Sequence, residues 1–319
     1  MGEDKKNILT WLFPLLGIIV LLLVTLKRAP ETFEEDNTFY SQTEDVDDKL
    51  IGYKEVSGIG IEAGKLHALA VGRNDYIYVL VDEKLLILNS NGAEQMAVQL
   101  SKAGHCVTVA ENGIIFIGFK QHIEVLQNNG EQLATWKKIN DKSYITSLAL
   151  AGKFLFVADA GTRNVWKIDL NGNLSSSIGA ENKQEGIPKL IVPSPYFDLA
   201  SAKDGSLWVV NPGRHKLENF NVDGKLKSMW GESSPDIEGF CGCCNPTHIA
   251  LLRDGSFVTS EKGHVRVKVY SPKGSFRCFV ASEKEFIERT KGLDLAIDSK
   301  DNVLVLDPQM KKIRIFDKK

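Results

Sequence analysis

Three cysteines fall within four positions of this sequence, at Cys241, Cys243 and Cys244, and His248 follows shortly after them. Thiolates and a neutral imidazole are ligands for Zn²⁺ or Cu(I), and Gly242 lets the backbone wrap closely around an ion. The C-x-C-C spacing lacks the paired C-x₂-C of structural zinc sites, and there is no C-x-x-C-H for covalent haem. We therefore expect a functional centre here, either a zinc or copper site or a redox-active thiol pair. The structural alternative is a disulfide or structural thiols that stiffen the loop, with His248 hydrogen-bonding nearby.

The elements that position this cluster come from a repeat. Residues 247–281 align with residues 197–231 as four short apolar strands joined by an Asp-Gly turn, a basic turn and a second Gly-containing turn. The same template fits four further units that start near residues 67, 106, 147 and 293. Four strands per unit are typical of a propeller blade, so the sequence predicts an all-β, six-bladed β-propeller.

The last unit reaches Lys319 after only three strands. Residues 50–61, which precede the first unit, have the Val, Ile and Tyr content of a strand. We predict that they pair with residues 312–316 and complete the last blade. Both ends of the propeller then close the ring, and no long strand edge stays open.

Three segments of the repeats resemble a known family. FVADAGTRNVWKID (residues 156–169), FVTSEKGHVRVKVY (residues 257–270) and VLVLDPQMKKIRIFD (residues 303–317) are similar to the NHL repeat. The resemblance implies a six-bladed propeller. NHL propellers serve as binding platforms and occasionally as enzymes, so function has to be argued from the site.

The first residue of each inner strand is expected to face the mouth of the central channel. Aligning the units puts these residues at Ala68, Cys106, Ser147, Asp198, His248 and Asp294, with His67 and His105 one position earlier in their units. We select His105, Asp198, His248 and Asp294 as candidate residues for binding a ligand or partner. The two aspartates could hold a divalent cation, act as acid and base, or bond neighbouring backbone N–H groups.

Long loops, residues 180–196 and 232–246, enter the fourth and fifth units on the same face. Such loops are where propellers place binding function.

A lactonase-like calcium site would need an inner-strand Glu and Asn, which this sequence lacks. A lyase-like zinc site would need three histidines around the channel. The candidates are His67, His105 and His248, and the first two stand one residue before the aligned strand starts.

No catalytic residue is assigned, because G-x-S-x-G, P-loop and H-E-x-x-H motifs are all absent from the sequence. We expect a non-catalytic platform for proteins or ligands. The alternatives are a metal-binding or electron-transfer component that uses the cysteine–histidine cluster, and a propeller hydrolase or lyase.

The N-terminal part of the sequence predicts a membrane anchor. Residues 8–26 carry no charge, and their 19 residues are close to the roughly 20 that span a bilayer. Lys27 and Arg28 follow directly, without a small-residue cleavage site, which favours an uncleaved anchor over a signal peptide. We divide the chain into a tail (1–6), a transmembrane anchor (7–27), an acidic linker (28–48) and the propeller (49–319).

The predicted partners follow from this arrangement and from charge. Because a single N-terminal anchor usually exports the domain that follows it, the propeller is expected to be periplasmic and to meet other envelope or membrane proteins. The formal charge of −2 gives no global field that would gather nucleic acid, so no nucleic-acid partner is expected.

Overall fold

The computed structural model describes residues 46–62, 64–179, 189–288 and 290–319. Within these ranges the chain forms six four-stranded antiparallel sheets, one for each sequence repeat, which confirms the six-bladed propeller. Strands are numbered in chain order, beginning with β1 (Tyr53–Gly60). No α-helix occurs among the described residues.

The blades follow one another along the chain, and each runs from the central channel outwards. Blade 1 consists of β2 (Leu66–Val71), β3 (Ile77–Val81), β4 (Lys84–Leu88) and β5 (Glu94–Gln99). Blade 2 consists of β6 (Cys106–Val109), β7 (Ile115–Gly118), β8 (Ile123–Leu126) and β9 (Gln132–Thr135). Blade 3 consists of β10 (Ile145–Ala151), β11 (Phe154–Asp159), β12 (Asn164–Asp169) and β13 (Leu174–Gly179).

The second half of the ring has the same order of strands. Blade 4 consists of β14 (Leu199–Ser201), β15 (Leu207–Asn211), β16 (Lys216–Phe220) and β17 (Leu226–Trp230). Blade 5 consists of β18 (His248–Leu251), β19 (Phe257–Glu261), β20 (Arg266–Tyr270) and β21 (Phe276–Ala281). Blade 6 consists of β22 (Asp294–Ile297), β23 (Val303–Asp307), β24 (Lys312–Lys318) and β1.

The predicted closure of the ring is confirmed. Strand β1 pairs antiparallel with β24, from Tyr53 opposite Lys318 to Gly60 opposite Lys312. The N–H of Lys319 donates to the Gly52 carbonyl at 2.9 Å, which extends the ladder by one more bond. The last blade is therefore built from both ends of the propeller.

Six apolar layers hold the blades together, one between each pair of neighbouring sheets. The second strand of a blade is buried on both faces, as in β3 and β19, where all five residues are buried. Burial on both faces explains the continuous apolar run of β3 (IYVLV), whereas β19 (FVTSE) also buries three polar residues. The outermost strands, such as β5, carry exposed residues. Packing between blades is what fixes the inner strands around the channel.

Short 3₁₀ segments occur in the connections. They are Asp48–Leu50, Arg73–Asp75, Pro212–Arg214 and Glu283–Glu285. In the part of the chain that the structure describes, no helix is long and apolar enough to cross a membrane. The predicted tail and anchor (residues 1–27), and the linker up to residue 45, lie outside it.

Candidate functional site

The inner strands β2, β6, β10, β14, β18 and β22 surround a cavity of about 760 Å³. That volume is in the range of small-molecule sites. The cavity is lined by all four candidate residues for ligand binding, together with His67. We call these five residues the channel mouth: His67, His105, Asp198, His248 and Asp294.

Three residues of the channel mouth converge. One ligand atom from each of Asp198, His248 and Asp294 lies within 4.8 Å of the others. His248 Nδ1 is 3.5 Å from Asp198 Oδ2 and 3.4 Å from Asp294 Oδ1. They meet because they occupy the same position at the start of the inner strand in three successive blades, as the repeat alignment predicts. Each side chain keeps 10–18% of its surface exposed.

Backbone hydrogen bonds fix the two carboxylates. Asp198 accepts from the N–H of Leu199 and, across the blade boundary, from the N–H of Ile249, both at 2.8 Å. Asp294 accepts an equivalent pair of bonds, from the N–H of Leu295 at 2.9 Å and from the N–H of Leu69 in the next blade at 2.7 Å. Each aspartate therefore joins two blades as well as facing the cavity, and the carboxylates are held in place without any ligand.

The convergence changes the proton affinity of these groups. Burial raises the pKa of Asp294 to about 6, the Asp198 charge adds to this, and His248 opposes it. Burial acts to lower the pKa of His248, but the carboxylates of Asp198 and Asp294 outweigh it and leave that pKa above its usual value. Burial also raises the pKa of the Cys106 thiol well above its usual value, so Cys106 is a neutral, packed side chain beside the two carboxylates.

The other two histidines of the channel mouth are favoured in the neutral form. Burial lowers the pKa of both His67 and His105. His105 Nδ1 lies 3.2 Å from the Ile145 carbonyl, which only accepts, so Nδ1 is the donor and Nε2 is left as an acceptor. His67 lies where the β2–β3 register shifts between Leu66 and Ala68. This irregularity explains why a simple alignment puts His67 one position out, although it lines the cavity.

The three clustered cysteines lie in the loop that leads into β18. Cys243 is exposed and Cys244 is buried, and their Sγ atoms are 3.1 Å apart. None of the five cysteines is joined in a disulfide. Over the described ranges, the one group of three or more His, Cys, Asp or Glu ligand atoms within 4.8 Å is the Asp198–His248–Asp294 group. Zinc or copper at Cys241, Cys243, Cys244 and His248 therefore stays a prediction.

Two buried side chains that the sequence analysis did not single out anchor this loop. Asn245 Nδ2 donates to the carbonyls of Cys241 (2.6 Å) and Lys262 (2.8 Å), and Asn245 Oδ1 accepts from the Lys262 N–H at 2.9 Å. Lys268 Nζ donates to the carbonyls of Ile237 (3.1 Å) and Gly239 (2.6 Å). The loop is thus bonded to blade 5 in its middle, through Lys268, and at its C-terminal end, through Asn245.

Lys268 is fully buried and forms a 2.6 Å ion pair with Glu261, which also pairs with Arg266. Burial lowers the pKa of Lys268 to about 8, although Glu261 opposes the shift. A signal for this network exists in the sequence. Arg266, Lys268 and Tyr270 alternate with valines, which is the pattern of a strand with one polar face, and here both faces are buried.

Comparisons with known proteins support the fold. No protein-family model matches this sequence, and no curated protein matches it. The structure is similar to a streptogramin B lyase, with a TM-score of 0.60 and 11% identity over 85% of this chain and 99% of the other. It is also similar to a catalytically inactive virginiamycin B lyase from Staphylococcus aureus with quinupristin (TM-score 0.58, 13% identity, 80% and 81% coverage). A protein of unknown function from Bacteroides thetaiotaomicron is a third neighbour (TM-score 0.59, 11% identity, 83% and 72% coverage). At these identities the likeness establishes the propeller fold alone.

Proposed function

We propose that this protein is a membrane-tethered, NHL-type propeller that binds a small polar ligand at its channel mouth. The observation that carries the proposal is the convergence of Asp198, His248 and Asp294 on one end of the channel. Three ionisable groups so close together, and still partly open to a cavity, are more than the packing of the inner strands requires. A set of convergent polar groups in a cavity is the usual form of a ligand site.

The channel mouth is also preorganised. Its carboxylates are fixed by backbone N–H groups of blades 4, 5, 6 and 1, so little conformational entropy is lost when a ligand orders them. His67 and His105 add neutral imidazoles, and on His105 the ring nitrogen that remains for a ligand, Nε2, accepts a hydrogen bond. These features favour a small ligand over a protein segment as the occupant.

The tether belongs to the same proposal. Residues 8–26 of the predicted anchor (7–27) carry no charge over a membrane-spanning length, and the acidic linker that follows is suited to hold the propeller off the lipid headgroups. We place the propeller in the periplasm, where its loops would be accessible to other envelope or membrane proteins. Protease added to intact spheroplasts should then cut the linker or the propeller, and full protection would contradict this orientation.

The ligand site is tested by a thermal-shift screen on the full chain in detergent. The probes are a panel of small carboxylates, phosphates, amines and sugars, screened once in EDTA and once with divalent metal salts. Compounds that stabilise the wild type should lose their effect in His248→Ala and keep it in Asp223→Asn, a control in an exposed peripheral turn. If no compound shifts the melting temperature, or if the shifts survive in His248→Ala, the site is not at the channel mouth.

A second candidate function rests on the 3.1 Å approach of the Cys243 and Cys244 thiols. Such a pair could act in thiol exchange, with an external disulfide such as oxidised glutathione as the oxidant. Intact mass after treatment should then show the loss of two hydrogens, and Cys243→Ser should abolish that loss. A mixed disulfide with glutathione as the only product would rule out a redox pair.

A further inference from the structure

We propose that Asp198, His248 and Asp294 bind one first-row divalent metal ion of the Zn²⁺ type. One coordination position is left to an anionic oxygen of the ligand in the cavity. The inference rests on the proposed function and deepens it, because it names the group through which the channel mouth would hold its ligand.

The distances at His248 are those of ligands rather than of hydrogen-bond partners. Hydrogen bonds from nitrogen to oxygen are about 2.7–3.2 Å long. His248 Nδ1 is farther than this from both carboxylates, at 3.4 and 3.5 Å. Two ligands bound tetrahedrally about 2.0–2.1 Å from a zinc ion are about 3.3–3.4 Å from each other. The observed spacing therefore leaves room for an ion between the three side chains.

The three ligand atoms also have lone pairs available to bind a metal. His248 Nδ1 is buried and makes no hydrogen bond. Asp198 Oδ2 and Asp294 Oδ1, the oxygens nearest to it, each accept one backbone N–H, which leaves a second lone pair on each. The backbone N–H groups then act as the outer layer of bonds that orients metal ligands in proteins.

Charge favours a cation at the same point. Asp198 and Asp294 are largely buried, and within the described residues both pair with the same group, His248. Two carboxylates removed from water need compensating positive charge, and a divalent ion supplies it while His248 stays neutral as a ligand.

The donor set selects the class of metal. An imidazole nitrogen favours zinc and its neighbours over calcium and magnesium, which prefer oxygen ligands alone. Three protein ligands with an open fourth position are typical of zinc sites that receive an external ligand. The open side faces the cavity, where 10–18% of each side chain is still exposed.

The test measures zinc on the full chain in detergent, after chelation and dialysis against ZnCl₂. We expect one zinc per wild-type chain. Asp198→Asn, Asp294→Asn and His248→Gln should each weaken zinc affinity by at least about tenfold. Losing a residue that only hydrogen-bonds a metal ligand already costs about that much, and these three residues are the ligands themselves. The control is the triple variant Cys241→Ser/Cys243→Ser/Cys244→Ser, which should keep its zinc.

Cobalt spectra keep the proposal testable if those single variants fail to fold. Co²⁺ in the wild type should show ligand-field bands without a thiolate-to-metal charge-transfer band. Absence of stoichiometric metal from the wild type, or a thiolate band that disappears in the triple variant, would overturn the site. Because this assay uses metal alone, it separates the two proposals. Ligand capture in EDTA without any zinc binding would reject the metal site only, and zinc binding without any captured ligand would reject the ligand platform.

Discussion

Arg314 on the last strand of the propeller is bound to Glu55 on the first, through Nη2 at 2.6 Å and Nε at 3.1 Å from Glu55 Oε2. Arg314 also donates to the Glu285 carbonyl at 2.6 Å, and its guanidinium lies about 5 Å from the rings of Phe286 and Phe316. The side chain of Arg314 is only 5% exposed. A largely buried cation is therefore bonded to a residue from the first strand of the propeller, while its other carboxylate partner, Asp307, is farther away at 3.7 Å.

Glu55→Ala should destabilise the propeller by about 1–3 kcal/mol, because the buried guanidinium loses a charged acceptor. Chemical denaturation of the full chain in detergent measures the change. Glu94→Ala, which removes an exposed glutamate from the outer strand of blade 1, should change the unfolding free energy by less than about 0.5 kcal/mol. Equal effects of the two substitutions would show that the ion pair adds nothing to ring closure.

Deleting residues 49–61 should lower the melting temperature sharply, because it removes β1 and leaves β24 as an open edge. Deleting residues 29–44, from the predicted linker, should leave the melting temperature nearly unchanged. Differential scanning fluorimetry of both deletions checks this. Similar melting temperatures for the two deletions would contradict a stabilising role for the closure.

Glu218 should make stability fall with rising pH. Burial raises its pKa from the usual 4.5 to about 7, against the opposing bond from Asn211, and its Oε2 is buried without a hydrogen bond. The folded state holds this proton more tightly than the unfolded state does. The stabilisation is therefore complete below about pH 4.5 and is lost as the pH rises through about 7.

Glu218→Gln removes this dependence. At pH 8 the variant should be more stable than the wild type by on the order of 2 kcal/mol, and at pH 4 the difference should nearly vanish. Denaturant midpoints at the two pH values give the result. The exposed Glu83→Gln serves as the control. A constant difference between Glu218→Gln and wild type across this range would mean that Glu218 is ionised in the folded state throughout.

Asn245→Ala should loosen the cysteine loop. The substitution leaves the carbonyls of Cys241 and Lys262 without their side-chain donor. In a Cys241→Ser/Cys243→Ser background, alkylation of the buried Cys244 by iodoacetamide should become more than about tenfold faster, as local opening becomes easier by about 1.4 kcal/mol. Asn91→Ala, in an exposed turn, should not change the rate. An unchanged rate in Asn245→Ala would show that other contacts hold the loop.

Much of the fold could be predicted from the sequence because each blade repeats the same pattern of strands and turns. The pairing of β1 with β24 followed from a missing strand at one end of the chain and an unassigned strand at the other. The bulge at His67 could not be predicted in this way. β2 is apolar at every position from Ala68 to Val71, so the exchange of faces that a one-residue shift causes leaves no mark in its sequence.

The site was predicted less completely. Repeat alignment places Asp198, His248 and Asp294 at equivalent positions, and neighbouring blades bring equivalent positions together. Closeness along the chain instead favoured His248 as a partner of the cysteines, since it follows them within seven residues. The buried Lys268 was missed because a lysine in a strand usually lies on the surface. Its burial depends on partners that only the structure shows, among them Glu261, Ile237 and Gly239.

The hydrogen bond between Lys319 and Gly52 brings the start of the propeller's first strand next to the end of its last strand. A peptide linker could join these two positions without stretching, and the chain could then be opened at an exposed turn in any other blade. All six sheets should survive such a circular permutation, because the strands of the opened blade can pair without a connecting turn, as β1 and β24 do in blade 6. We therefore expect the propeller's architecture to be the same wherever the ring is opened, and a permuted form would present the channel mouth from a different attachment point.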